Sequence, residues 1–355
     1  MEVVGRAIVH AVKDLSQTGE VRRAATALAA QVGFDDAEVG KVAIVATELA
    51  RNTAIHGGGG QVVLRHVSLN ECEGIDLLAM DQGPGMADVG RCLRDGFSSV
   101  GTAGIGLGAV QRFSSCFDIF SAPGMGTTVF SRLWQVPPPP AGDDGQIKIG
   151  AVSVPHSHET VCGDAWATAV HDGRVCLAVA DGLGHGLPAY TAASEAMRLF
   201  RENLGQSPEQ IIQAVHRGLG PTRGAAVAIL DCDRATQQVR YCGIGNISAA
   251  IYWPGGALNL TSHNGTVGHI LRKAQEFTYR WPADGLLVAH TDGLRSPGRP
   301  DRYPGLMRHD PNVVAAVLYR DYGRAHDDAT VLALRQSPSP SPEQADAMSN
   351  SDHPD

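Results

Sequence analysis

Four aspartates in the second half of the chain stand where an apolar run meets a glycine-rich or acidic turn. They are Asp164, Asp181, Asp292 and Asp327. Hard divalent cations such as Mg²⁺ and Mn²⁺ prefer oxygen ligands, and they take a few protein carboxylates while keeping several waters. The four acids therefore predict one shared site for hard cations.

The strongest of these segments is 177–186, where an apolar run ends in Asp181 and three glycines follow within five positions. Segment 286–293 repeats the design, and the acidic turn 326–330 precedes the apolar run 331–334. Each Asp-Gly pair taken singly is typical of a simple turn. Four acids at strand ends of one domain favour a metal site instead, because clustered like charges destabilise a fold unless a cation compensates them.

These motifs also carry a family resemblance. Gly163-Asp164, the Ala-Asp-Gly-Leu-Gly-His-Gly run at 180–186, Thr-Asp-Gly-Leu at 291–294 and Asp-Asp-Ala-Thr-Val-Leu at 327–332 resemble the signature of SpoIIE-type serine/threonine phosphatases. That group is the bacterial branch of the metal-dependent type 2C phosphatases. The resemblance covers about 147–335.

The resemblance implies an α-β-β-α sandwich that holds two Mn²⁺ or Mg²⁺ ions between its sheets. It implies that Asp181 is the catalytic residue bridging both ions, that the Gly182 carbonyl binds one, and that further acids complete the site. Those acids are Asp164, Asp292 and Asp327, with the contribution of Asp328 left open. Segment 159–163, before Asp164, lacks the phosphate-clamping arginine of eukaryotic members.

Two histidines flank the predicted metal site. His185 follows the Asp-Gly turn and can donate a proton to a leaving oxygen, although a histidine in a glycine loop is more often structural. His290 lies two residues before Asp292, and segment 156–158 is interpreted as a loop.

The first half of the chain places an acid and an amide on one helix. A strand at 3–12 and helices at about 19–31 and 36–54 are indicated by apolar periodicity. Glu48 and Asn52 are spaced i, i+4 on the second helix and share a face. Strands at about 61–68 and 75–80 lead to Asp81-Gln-Gly-Pro-Gly, and a glycine run at 101–108 opens a helix through Phe113. Glycines before a helix N-terminus suit phosphates.

In order and spacing, these segments resemble the three boxes of the GHKL ATPase fold, and most closely the RsbT and RsbW kind of serine kinase, over about 3–134. The resemblance implies an α/β sandwich with one mixed sheet that binds ATP and Mg²⁺. Asn52 would hold Mg²⁺, Asp81 would accept from the adenine amino group, and Glu48 would be the catalytic base. The glycines that would shape the pocket and close over the phosphates are Gly83, Gly85, Gly104, Gly106 and Gly108.

Other nucleotide-binding folds fit the first half less well. The sequence has no Gly-x-x-x-x-Gly-Lys-Ser/Thr loop, and the run at 101–108 does not follow the first strand of a βαβ unit.

Length and composition indicate two domains, and the two resemblances together imply a two-domain α+β protein. We expect a GHKL domain at 1–135, a Pro/Gly linker at 136–146, a phosphatase domain at 147–335 and a disordered tail at 336–355. The net charge of -8 argues against a nucleic-acid partner. The sequence shows no membrane span or signal peptide, and its seven cysteines form no Cys-x-x-Cys pair, so we expect the cytoplasm and no membrane partner.

The two resemblances together predict a phosphatase fused to a serine-kinase-like domain, which regulates a partner-switching stress pathway. The expected partner is a STAS-domain anti-sigma factor antagonist. The alternative is a non-catalytic, nucleotide-sensing module that binds an anti-sigma or STAS partner. Loss of several metal acids would favour that alternative, and all four are present.

Overall fold

The computed structural model describes residues 2–4, 7–69, 71–94, 106–138, 147–295 and 299–336. Gly104, most of the expected linker and residues 337–355 lie outside the described residues. Gln336, the first residue of the expected tail, is still the last residue of a strand.

The first part of the chain is a two-layer α/β sandwich. Its strands are β1 (Glu2–Val4), β2 (Ile8–Val12), β3 (Gly60–Leu69), β4 (Cys72–Asp81), β5 (Cys116–Ser121) and β6 (Thr127–Trp134). They lie in the order β1-β3-β4-β6-β5, with β2 also paired to β3. Every pairing among these strands is antiparallel. Strands β3 and β4 form one hairpin and β5 and β6 form another. The expected mixed sheet is therefore wrong for the described strands, and the expected strand at 3–12 is divided in two.

The helices of this part are α1 (Thr18–Gln31), α2 (Asp36–Ile55), α3 (Val89–Cys92) and α4 (Gly106–Phe113), and a short 3-10 helix precedes α1 at Leu15–Gln17. Asp35 begins α2 by accepting from the backbone N–H of Glu38 at 2.8 Å. Buried apolar side chains of α1, α2 and α4 pack on one face of the sheet. Glu48 and Asn52, which share one side of α2, are both only partly buried.

The second part is a sandwich of two sheets. Its strands are β7 (Ile147–Val154), β8 (Asp164–His171), β9 (Arg174–Gly182), β10 (Ala225–Asp233), β11 (Gln238–Ile244), β12 (Ser248–Trp253), β13 (Gly256–Asn259), β14 (Ser262–His263), β15 (Phe277–Arg280), β16 (Leu286–His290) and β17 (Ala329–Gln336). One sheet has the order β14-β11-β10-β9-β8, with β15 on β11, and the other has the order β13-β12-β16-β17-β7. An apolar core that includes Leu177, Val179 and Leu332 fills the space between the sheets.

Helices cover the outer face of each sheet in this sandwich. They are α5 (Gly186–Glu202), α6 (Pro208–Gly218) and α7 (Pro311–Tyr322), with short 3-10 helices at Pro300–Arg302 and Leu306–Arg308. Helices α5 and α6 pack on the sheet that contains β9. Helix α7 packs on the sheet that contains β17. This arrangement is the α-β-β-α sandwich expected from the sequence.

Helix α7 is also covered by the first part of the chain. Six consecutive apolar residues, from Val313 to Leu318, are at most 1 % exposed. They share one core with Val63, Leu78 and Phe130, which lie on the face of the first sheet opposite its own helices. A helix that is apolar all round must be buried on all sides. The two parts are therefore joined through α7 as well as along the chain.

A buried ion network stabilises this junction. Asp76 is fully buried, and it accepts from Nε of Arg65 at 2.9 Å and from Nε of Arg132 at 2.5 Å. Arg65 continues across the junction, donating to the carbonyl of Ala151 at 2.5 Å and to Oδ1 of Asn312 at 2.6 Å. Burial by itself would raise the pKa of Asp76, but Arg132 and Arg65 lower it overall. Asp76 is thus held as a carboxylate.

We expect Asp76→Ala to lower the free energy of unfolding by about 3–5 kcal/mol, because it leaves two arginines buried without their counterion. Urea titration of the full chain measures this change. Glu195→Ala is the matched control, since Glu195 pairs with Arg198 at the surface and such pairs contribute about 1 kcal/mol or less. Equal unfolding midpoints for the two variants would contradict a stabilising role for the network.

Candidate functional site

Two of the predicted metal acids lie side by side on one sheet. Asp181 is the penultimate residue of β9, and Asp164 is the first residue of β8. The antiparallel register pairs them directly. Asp164 therefore begins a strand, although the sequence placed it at a strand's end. Because antiparallel neighbours run in opposite directions, a strand start and a strand end meet at the same edge.

The other three acids come from the facing sheet. Asp292 follows β16, and Asp327 and Asp328 precede β17, which is paired with β16. Residues on β9 alternate between the two faces of the sheet, so Asp181 shares the inter-sheet face of Leu177 and Val179. The structure thus brings all five predicted acids to one end of the cleft between the sheets.

The pKa values of Asp164 and Asp181 indicate that the acids lie close to one another. Burial raises the pKa of Asp181 to about 7, and the charges of Asp292, Asp327 and Asp328 contribute to the rise. The pKa of Asp164 also rises well above its usual value, through burial and then through Asp181. Since a like charge disfavours ionisation, the acids repel one another when no cation is bound.

Hydrogen bonds from three polar residues orient the acids. Thr291 Oγ1 donates to Asp164 Oδ2 at 2.7 Å, and Asn246 Nδ2 donates to Asp292 Oδ2 at 2.7 Å. The backbone N–H of His156 donates to Asp328 Oδ1 at 2.9 Å. None of these three residues was predicted as a site residue from the sequence. Thr291 could have been found from its place beside Asp292, whereas nothing local marks Asn246.

Two carboxylate oxygens in this cluster show that the residues fit a cation. Asp164 Oδ1 and Asp328 Oδ2 are buried and have no hydrogen-bond partner. A buried charged oxygen without a partner is costly unless a cation binds it. In the parts of the chain that the structure describes, no three acidic, histidine or cysteine side chains are already grouped tightly enough to hold an ion. A bound cation would attract these carboxylates towards one another.

Glycines allow the strand ends to approach closely here. A Cβ on Gly182 would lie 2.1 Å from the carbonyl oxygen of Ala189 in α5, and a Cβ on Gly163 would lie 2.6 Å from Asp328 Oδ2. Neither distance is compatible with a side chain. Gly182 is thus fixed by packing, and its backbone lies next to Asp181.

The histidines near the acids have different surroundings. His185 is exposed, and its Nδ1 lies 2.7 Å from Glu159 Oε1 while its ring stacks on His156. His290 is 6 % exposed, and its Nδ1 donates to the carbonyl of Thr291 at 2.8 Å. Because Ala289 faces the inter-sheet core, His290 lies on the opposite face of β16.

Two arginines lie near the acids, although neither is in segment 159–163. Nη1 of Arg223 lies 2.9 Å from the position that a Cβ on Gly184 would take, in the loop that follows Asp181. Burial raises the pKa of Asp327, and the charge of Arg324 opposes that rise. Positive charge at this end of the sandwich therefore comes from elements that local sequence did not single out.

In the first part of the chain, the residues that follow α2 pack against the end of β4, where Asp81 and Gly83 lie. Asp81 is 8 % exposed, and its Oδ1 accepts from the backbone N–H groups of Gly83 at 2.9 Å and Thr127 at 3.1 Å. Burial raises the pKa of Asp81. Gly57, just after α2, lies so close that a Cβ on it would be 2.4 Å from the Cβ of Asp81.

The glycines of this region have separate roles. Gly85 has a φ of 69° and lies against the carbonyl of Ala122, so the turn after Asp81 requires glycine. Gly106 begins α4 and Gly108 is buried within it. Glu48 and Asn52 lie one turn apart on α2, and Glu48 Oε1 is 3.8 Å from Nη1 of Arg51.

Both halves of the chain match known protein families. Residues 11–131 match the histidine kinase-like ATPase domain family, and residues 171–337 match the stage II sporulation protein E (SpoIIE) family. The serine/threonine-protein kinase RsbT of Bacillus subtilis (strain 168) is 34 % identical over 107 residues, which are 30 % of this chain and 80 % of RsbT. The chain belongs to the RsbT family of kinases in its first half. Its second half is a SpoIIE-type phosphatase domain.

Two further relatives resemble parts of the chain. The phosphoserine phosphatase RsbX of Bacillus subtilis (strain 168) is 27 % identical over 140 residues, which are 39 % of this chain and 70 % of RsbX. A solved structure described as the bacterial stressosome, a modular system adapted to control secondary messenger signalling, is 27 % identical with a TM-score of 0.51. It covers 54 % of this chain and 100 % of its own.

Both predicted domain types are therefore present, an RsbT-type domain and a SpoIIE-type domain. Among the described residues, no helix combines the length and the apolar character that crossing a bilayer requires.

We expect Asp164→Asn to stabilise the cation-free protein at pH 8, because it removes a buried charge that repels Asp181. Folding raises the pKa of Asp164 above its unfolded value of 3.8. Asp164 therefore does not destabilise the folded protein below pH 3.8, and the free energy of unfolding that it costs grows as the pH rises above that value. The Tm in EDTA should rise by about 2 °C or more at pH 8, the shift that about 1 kcal/mol produces in a domain of this size. It should not rise at pH 4.

Thermal unfolding with saturating Mn²⁺ provides the control. There Asp164→Asn should have the lower Tm, since the native protein gains free energy from the bound cation. A lower Tm for the variant in EDTA at pH 8 would contradict the repulsion.

Proposed function

We propose that the SpoIIE-type domain hydrolyses phosphoserine or phosphothreonine in a partner protein, using two Mn²⁺ or Mg²⁺ ions. The observation that supports this function best is the convergence of five acids from two sheets, with two buried carboxylate oxygens left for a cation. Its resemblance to the phosphoserine phosphatase RsbX points to the same reaction.

The roles of the acids follow from their positions. Asp181 is the acid whose pKa responds to Asp292, Asp327 and Asp328 together, so it suits a ligand shared by both ions. Asp164, Asp292, Asp327 and Asp328 would complete the ligand set with the Gly182 carbonyl. Bound cations of this kind lower the pKa of a water and stabilise charge on a transferring phosphoryl group.

The surrounding residues keep this ligand set in place. Thr291 and Asn246 each hold one oxygen of an acid, which leaves the other oxygen to face the cation. Arg223 and Arg324 are the arginines placed to attract the substrate phosphate, in place of the clamp absent from 159–163. No protein nucleophile is required.

For the RsbT-type domain we propose ATP binding and transfer of the γ-phosphoryl group to a protein serine. Asp81 would accept from the adenine amino group through its free oxygen, because Oδ1 is already used by Gly83 and Thr127. Asn52 would hold Mg²⁺ and Glu48 would accept the proton of the serine. Gly104, Gly106 and Gly108 would close over the phosphates, with Gly83 and Gly85 shaping the pocket.

The partner that fits both activities is a small regulatory phosphoprotein. Since RsbT is a serine kinase and RsbX a phosphoserine phosphatase, one chain would carry both opposing activities. We propose a STAS-domain anti-sigma factor antagonist as the partner, within a partner-switching stress pathway. The stressosome structure that resembles this chain favours such an assembly.

Asp181→Asn should lower the rate of phosphate release from a phosphoserine peptide with Mn²⁺ by at least about 100-fold, because it removes the ligand shared by both cations. The matched control is Asp172→Asn, at the exposed turn of the same β8–β9 hairpin, which should keep the native rate. A rate for Asp181→Asn equal to that of Asp172→Asn would exclude the bridging role.

Glu48→Ala should abolish transfer of labelled phosphate from ATP to a STAS partner while leaving ATP affinity within about threefold, because a base acts on the transfer step and not on binding. Asn52→Ala should abolish Mg²⁺-ATP binding measured by calorimetry. Glu20→Ala, on the surface of α1, is the control. ATP binding without transfer in the native chain would favour a nucleotide sensor over a kinase.

A further inference from the structure

The last turn of α7 contacts the nucleotide region of the RsbT-type domain. Nη1 of Arg320 donates to the carbonyl of Asp81 at 3.1 Å and to Thr128 Oγ1 at 3.3 Å. Gln82 returns a contact, with its Nε2 donating to the carbonyl of Arg320 at 3.3 Å. These contacts reach the strand ends that hold Asp81, from the side opposite α2.

On its other side, the same end of the helix contacts the loop that follows Asp292. The backbone N–H of Arg295 donates to the carbonyl of Tyr322 at 2.8 Å, and that of Arg324 donates to the carbonyl of Gly293 at 2.8 Å. Gly293 directly follows Asp292, and the chain reaches Asp327 three residues after Arg324. One helix end is thus hydrogen-bonded to the turns that carry both groups of functional residues.

Arg320 is held firmly enough to transmit a displacement. Its side chain is 5 % exposed, and Asp321 binds it through two parallel contacts, Nε to Oδ1 at 2.7 Å and Nη2 to Oδ2 at 2.8 Å. Tyr303 in turn donates to Asp321 Oδ2 at 2.7 Å. A bidentate pair fixes the plane of the guanidinium group, so Arg320 and the end of α7 move together.

The junction beside Arg320 is not fully packed. A cleft of about 390 Å³ lies between the domains there, lined by residues that include Gln61, Gln82, Tyr319 and Arg324. Space of this size allows the helix end and the Asp81 turn, which Arg320 joins, to shift together. Elsewhere along α7 the apolar core is continuous.

We propose that Arg320 is a positioning residue that couples nucleotide binding at Asp81 to cation binding by Asp292 and Asp327. A nucleotide that orders the Asp81 turn also orders the end of α7, which lowers the cost of bringing the metal acids together. The coupling is therefore positive, and by linkage each ligand raises the affinity for the other by the same factor. This inference rests on the proposed function of both sites.

The test uses the full chain, ADP and Mn²⁺, with free Mn²⁺ fixed by a metal buffer because ADP chelates it. Saturating ADP should lower the Mn²⁺ concentration for half-maximal hydrolysis of p-nitrophenyl phosphate by about fivefold or more, the range typical of coupled sites. Calorimetry at saturating free Mn²⁺ should show ADP binding more tightly to the native chain than to Asp181→Asn, which lacks the proposed shared cation ligand, so that cation bound to the nucleotide itself is the same in both measurements. Arg320→Gln should reduce both factors to about one while hydrolysis and ADP binding each persist.

Two variants separate coupling from general damage to the junction. Arg320→Lys keeps one donor for the Asp81 carbonyl and should restore part of the factor. Asp118→Ala removes contacts with His309 and the backbone of Asp310 at another point of the junction and should leave the factor unchanged. If the native chain binds ADP and hydrolyses p-nitrophenyl phosphate with Mn²⁺ but shows a coupling factor of one, the coupling is overturned. If the native chain does not hydrolyse the substrate or does not bind ADP, the proposed function is overturned instead.

Discussion

Mutual repulsion among five carboxylates is the constraint on which the phosphatase end of this protein depends. The sandwich holds Asp164 and Asp181 on one sheet and Asp292, Asp327 and Asp328 on the other, and burial increases the cost of charge at Asp164 and Asp181. The fold tolerates this because the strands beneath are packed by an extensive apolar core. The stability of the core thus permits a local instability, which the cations proposed to bind there would relieve.

Helix α7 gives the two halves a common interior. It closes the outer face of one phosphatase sheet and, at the same time, the open face of the RsbT-type sheet. Arg65 adds hydrogen bonds between the halves, because its guanidinium group binds Asp76 in one half and the Ala151 carbonyl in the other. A junction built from apolar burial and a satisfied ion network is much stiffer than a linker, so the two active regions keep a defined geometry.

Local patterns in the sequence allowed most of the helices and strands to be predicted, and the same patterns marked the candidate site residues. Asp181 sits in a glycine-rich strand end, and Glu48 and Asn52 share a helix face. Asn246 could not be found, since its role depends on a sheet-to-sheet contact with Asp292. The packing of α7 was also missed, although the unbroken apolar run from Val313 to Leu318 is the pattern of a helix buried on every side.

Burial of α7 by both halves bears on what happens if the chain is cut. Residues 139–146 connect the halves covalently, but the apolar side chains of Val63, Leu78 and Phe130 would still require the cover of α7 after a break there. A proteolytic nick in that segment would therefore yield two fragments that stay associated. Either fragment produced alone would expose an apolar surface to solvent and tend to aggregate.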